Sequence, residues 1–89
     1  MGTERFLTVS FAGFSAFLSD RGFQVKPSIK SDFVRIARYD LRFPVFLRIE
    51  SCVTHDVAVS YLERCHLTRD IYQEWLASHP EFILHRLPV

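Results

Sequence analysis

Asp32-Phe33-Val34-Arg35-Ile36-Ala37-Arg38-Tyr39, Asp40-Leu41-Arg42-Phe43 and Pro44-Val45-Phe46-Leu47-Arg48-Ile49-Glu50 follow one another in the middle of the chain, and their alternation decides the fold. The two outer runs change character at every second residue, the period of a strand with two unlike faces. With the short connection Asp40-Leu41-Arg42-Phe43 between them they read as an antiparallel hairpin. One face carries Val34 and Ile36 from the first run and Val45, Leu47 and Ile49 from the second. The other carries Phe33, Arg35, Ala37 and Tyr39, with Phe46, Arg48 and Glu50. The aliphatic face is the core face. Pro44 opens its strand, where a missing N–H is tolerated. Upstream, Phe23-Gln24-Val25 adds a short strand ended by Pro27, so the centre is a hairpin or a three-stranded sheet.

Moving outward, the period changes to that of a helix. From Thr3 to Asp20, Phe6, Leu7, Phe11, Phe14, Phe17 and Leu18 share one arc of a helical wheel. Thr3 is the expected cap, Glu4 sits at the positive end of the dipole and Gly22 supplies the stop. Leu7, Val9 and Phe11 also alternate as a strand would, but the helical arc runs on to Leu18 while the alternation stops at Phe11. On the other side, Thr54 caps a helix from His55 to Cys65 with Val57, Ala58, Tyr61, Leu62 and Cys65 on one stripe. Thr68 caps another from Arg69 to Ser78 that aligns Ile71, Tyr72, Trp75 and Leu76. His79-Pro80 ends it, because proline disfavours helical geometry in the residue before it. Glu81 to Val89 is short and apolar, an edge strand or an extended tail. The expected fold is therefore α+β: an N-terminal helix, the central hairpin or three-stranded sheet, a C-terminal helix pair and a short tail. Residues 1–89 read as a single domain.

Composition bounds the function. A chain of 89 residues has room for one core, and catalytic clefts are usually larger than so small a domain builds alone. Hydrophobic residues make up 48% and nine are phenylalanine, far from the composition of a disordered segment. A supply of rings this rich exceeds what a small core hides, and a surplus left outside marks a partner or self-association surface. The net charge of +1 gives no general field for nucleic acid, although basic residues can still share one face. Two cysteines fit a reduced cytoplasmic protein better than a disulfide framework. Neither a membrane span, a signal peptide nor a myristoylation signal is apparent.

Four constellations merit a chemical reading. On the outer hairpin face, Arg35 and Arg48 lie among Phe33, Tyr39 and Phe46. Arginine beside aromatics suits protein hot spots, and equally suits stacked bases and phosphates. The structural alternative is that the first helix or the tail covers this face and Arg35 pairs with Glu50. Second, the helices of 54–78 have the skeleton of a helix-turn-helix with Arg69 and Gln73 facing outward, and Arg38 and Arg42 lie near the hairpin. Asp70 and Glu74 on the would-be reading helix repel phosphates, however, and the turn has no glycine, so an ordinary helical hairpin is the simpler reading. Third, Cys52 and His55 have ligand-like spacing, but adjacent Cys65 and His66 point about 100° apart on a helix, which argues for core packing over zinc. Fourth, a cysteine–histidine dyad can be drawn from Cys52 or Cys65 with His55, His66, His79 or His85, but no third orienting group is evident. No metal, cofactor or catalytic residue is expected.

The function expected from these residues is that of a small non-enzymatic adaptor or inhibitor, a regulator that occupies a surface of a larger protein, with homodimerisation through its spare rings as the other expected association. Phe33, Arg35, Tyr39, Phe46 and Arg48 are the expected contact residues. The alternative is a nucleic-acid-binding regulator that uses Arg38, Arg42, Arg69 and Gln73.

Overall fold

The computed structural model describes residues 6–29 and 32–87. Thr3 and Glu4, expected to start a helix, and Pro88-Val89 at the tail lie outside the described residues. The elements in order are β1 (Phe6–Ser10), α1 (Phe11–Asp20), β2 (Gln24–Pro27), β3 (Phe33–Ala37), β4 (Val45–Arg48) and β5 (Cys52–Val53). Then come α2 (His55–Arg64), α3 (Arg69–Ser78), a 3-10 turn over Pro80–Phe82 and β6 (Ile83–Leu87). The strands form two antiparallel three-stranded sheets, ordered β5-β1-β6 and β2-β3-β4, and the fold is α+β as the sequence predicts.

One expected element is corrected. The segment read as a single helix from Thr3 to Asp20 is a strand up to Ser10 and a helix only from Phe11. The switch lies at Ser10, whose backbone is extended (φ −67°, ψ 152°) and whose hydroxyl accepts the Gly13 N–H at 3.0 Å. That hydrogen bond satisfies one of the orphan donors at the helix start, so the chain can turn from one period to the other within a residue. Phe11 already belongs to the helix, and the alternation that begins at Leu7 and Val9 was the true signal over Phe6–Ser10. The strand it forms is the central one of its sheet, paired with β5 through Val9 and Val53 and with β6 through Val9 and Ile83.

At its other end α1 stops as expected. Gly22 adopts φ 89°, a left-handed conformation that costs glycine nothing. The second sheet keeps the expected division of faces, in a register where Val34 faces Leu47 and Ile36 faces Val45, while Val25 of β2 faces Ile36. Val34, Ile36 and Leu47 are buried, and they join Phe14, Phe17 and Leu18 of α1 and Leu62, Tyr72 and Leu76 of the helix pair in one cluster. Enclosing rings such as Phe14 and Phe17 contributes about 1.5–3 kcal/mol each. Phe17 meets Tyr72 and Trp75 edge-on at 5.1 and 5.6 Å, and Trp75 donates to the Asp20 carboxylate at 2.7 Å, fastening α3 to the end of α1.

Two residues expected in the core are outside it. Ile49 lies past the end of β4, where the alternation has no strand left to orient it. Val57 sits on the flank of α2, whose buried stripe is narrower than drawn and centred on Ala58 and Leu62, with Cys65 just beyond. The turn between α2 and α3 lacks glycine because His66 takes the left-handed position itself (φ 60°). Its N–H donates to the Glu63 carbonyl while that of Leu67 reaches back to Leu62, closing the helix end. The chain's last described segment is the edge strand of the two alternatives posed for it.

Candidate functional site

The side of β2-β3-β4 away from the helices is where most of the candidate residues stand. Strand alternation sends Arg35 outward while Val34 and Ile36 go in, and it does the same for Phe46 and Arg48 on either side of Leu47. The register then sets Phe33 opposite Arg48 and Arg35 opposite Phe46, a diagonal arrangement of two rings and two guanidinium groups. Arg35, Phe46 and Arg48 are exposed and Phe33 is half-buried, so neither α1 nor any other described segment covers this face. Glu50 pairs with Arg48 at 3.6 Å and not with Arg35. Both of those groups are well exposed, so their attraction is slight.

Between these strands and the segment after β2 lies a concavity of about 610 Å³, lined by Pro27, Ser28, Ile29, Phe33, Arg35 and Phe46. Its wall is apolar apart from the serine and the guanidinium. Ile29 is wholly exposed and Phe46 is 44% exposed, so apolar surface is left in water at this place. Lys26, paired in register with Arg35, stands on the same outer face. Among the described residues neither Lys26 nor Arg35 has a carboxylate partner.

Lys26, Pro27 and Ile29 were missed by sequence reasoning. The alternation through Phe23-Gln24-Val25 carries the signal for Lys26, since one further step puts it outward beside Arg35. Ile29 has no such signal, because no strand period governs a loop. Of the expected contact residues, Tyr39 stands apart. It lies past the end of β3 in the turn, 97% exposed, beside Gly22, Gln24 and Arg38, at the far end of the strand from Phe33.

The residues of the nucleic-acid alternative are divided among three places. Arg38 is engaged internally: it makes two bonds to the Asp40 carboxylate at 2.6 and 2.8 Å and one to the Arg21 carbonyl, and it lies 4.0 Å over the Phe23 ring. The bonds from Arg38 hold the Asp40 carboxyl below its ordinary range and raise the guanidinium in return. Arg42 leans on Phe43 at 5.9 Å in the hairpin connection. Arg69 and Gln73 are on α3, with acidic Asp70 and Glu74 also on that helix.

The cysteines have different settings. Cys52 is half-buried in β5 and borders a second cleft of about 310 Å³, together with Arg48, Glu50, Val57 and Tyr61. Cys65 is fully enclosed, and burial pushes its thiol up to about 11, the opposite of what a nucleophile requires. Among the described residues no three histidine, cysteine or acidic side chains are grouped to hold a metal ion, and no helix is long and apolar enough to cross a membrane.

Comparison of the chain with protein-family models, with curated proteins and with solved structures finds no match.

Proposed function

We propose that this chain is a non-catalytic recognition domain, an adaptor or inhibitor that occupies a surface of a larger protein through the outer face of β2-β3-β4. The observation that carries this reading is the uncovered apolar concavity flanked by Phe33, Phe46 and Arg35 on a sheet whose other side is firmly packed. A rigid strand surface presents its side chains at little entropic cost. Burial of exposed rings then supplies affinity, and a guanidinium fixes orientation through paired bonds to a carboxylate. Arg48, opposite Phe33 in register, extends the same contact toward its edge, while Tyr39 stands outside it.

The test is capture of the cellular partner by the purified domain, followed by affinity measurement with variants. Phe46→Ala combined with Arg35→Ala should weaken binding by about 2 kcal/mol or more, roughly thirtyfold, with the unfolding midpoint almost unchanged because both side chains are exposed. Unaltered affinity removes this face. The outward cations beside two rings also favour a second reading, single-stranded nucleic acid, and salt separates the two. Phosphate contacts release counterions and weaken steeply as salt rises, whereas a mainly apolar protein contact changes little.

A further inference from the structure

The concavity on the sheet face has a chemistry of its own, and it narrows what kind of segment can fill it. Resting on the docking function above, we infer that the occupant is a partner segment in which a large apolar side chain stands next to one or more carboxylates. The apolar half of this assignment comes from the wall: Ile29, Phe33 and Phe46 offer aliphatic and aromatic surface to one another across an open space. Ile29 is fully exposed, so covering it gains the whole of its transfer free energy. A volume of about 610 Å³ exceeds any one side chain and lies in the range of pockets that enclose a compact ligand, so the anchor enters with its neighbours.

The acidic half comes from charge. Arg35 lines the concavity and Lys26, its register partner across β2 and β3, is exposed on the same face; among the described residues neither meets a carboxylate. Two neighbouring cations repel, and an incoming Asp or Glu relieves that repulsion while receiving the two-pronged bond that arginine provides. Two other occupants fit less well. A second copy packed face to face would bring the same Lys26 and Arg35 pairs together and add like charges at the centre of the contact. A single-stranded nucleic acid would find phosphate partners in these cations, but the aliphatic part of the wall offers bases no stacking platform.

A random-peptide library displayed on phage tests the assignment with the whole chain as bait. Selected peptides should place Asp or Glu beside a phenylalanine, leucine or similar side chain. Synthetic copies should shift the backbone amide resonances of Lys26 to Ile29, Phe33 to Arg35 and Phe46. Lys26→Glu with Arg35→Glu should weaken those copies about tenfold or more, and selection on that variant should return Lys or Arg in place of the acids. Both substitutions are at exposed positions, and a thermal melt establishes that the variant is folded. Peptides that occupy the face with neutral or basic flanks, or that ignore the charge reversal, overturn the acidic assignment and leave the docking surface standing. Peptides whose shifts map elsewhere, or a library that yields none, overturn both. Tighter binding of oligouridylate at these amides, or self-association through them, assigns the face to nucleic acid or to a second copy and overturns this inference.

Discussion

Gly13 shows how a single missing carbon can hold two elements together. It lies in the first turn of α1, where a methyl group would sit 2.5 Å from the Phe82 Cβ and 2.7 Å from its Cγ. Phe82 belongs to the 3-10 turn after α3 and stacks on Trp75 at 5.7 Å, so it has little room to retreat. Alanine at an exposed helical position normally gains about 1 kcal/mol over glycine. Here the clash dominates, and Gly13→Ala should cost about 1–3 kcal/mol, read as a lower urea midpoint. A midpoint that stays or rises would mean that the Phe82 turn does not rest on α1. Sequence reading found the other special glycine, Gly22, because it follows a helical run. It missed His66, because a left-handed histidine leaves no mark in the sequence, and it passed over Gly13, because a close approach depends on a partner many residues away.

At the scale of elements, the junction of β1 and α1 rests on the Ser10 cap. Ser10→Ala should destabilise the protein by about 1 kcal/mol, and Ser10→Asp, which keeps an acceptor in place, should restore most of the loss. Thermal unfolding of the two variants checks this, and equal losses would deny the cap its role. The same junction explains which elements were legible. β3 and β4 were readable because the aliphatic and the aromatic-arginine positions alternate without a break, and α2 and α3 because a threonine precedes each regular apolar stripe, although only Thr68 caps its helix with its side chain, accepting from the Ile71 N–H. The β5-β1-β6 sheet was not. Its outer members are a two-residue strand and a short apolar tail, and β1 carries apolar residues at positions that satisfy a strand and a helix alike. Pairing between segments so far apart has no local signature. The candidate surface followed the same division: Phe33, Arg35, Phe46 and Arg48 were legible from alternation, whereas Ile29 joins it only through the fold of the loop after β2.

For the whole molecule, pH acts through the core more than the surface. Among the described residues no charged side chain is buried. Two groups that ionise in alkali are: the Cys65 thiol, and the Tyr72 phenol, which burial raises well above its ordinary range. Both keep their protons longer in the folded state than in the unfolded chain. Their stabilisation is therefore complete below about pH 9, and it is lost as pH climbs from 9 toward 11 for the thiol and from about 10 upward for the phenol. Among the described residues the Tyr72 hydroxyl also has no hydrogen-bond partner. Tyr72→Phe should consequently raise the neutral unfolding midpoint by an amount equivalent to about 1 kcal/mol and flatten the alkaline decline. A melting series from neutral pH to pH 11 measures both effects, and an unchanged alkaline slope would mean that the phenol reaches solvent.

The central place of β1 also bears on how the chain is made. Its hydrogen-bonding partner on one side, β6, is encoded more than seventy residues downstream, from Ile83 onward. During translation β1 therefore leaves the ribosome with that edge bare, and it stays so until Leu87 has cleared the exit channel. Over that interval the apolar strand is open to chaperones, or to the same edge of a neighbouring nascent chain. Completion of this sheet waits for Ile83–Leu87, whereas the β2-β3-β4 sheet, with all its strands between Gln24 and Arg48, can close long before.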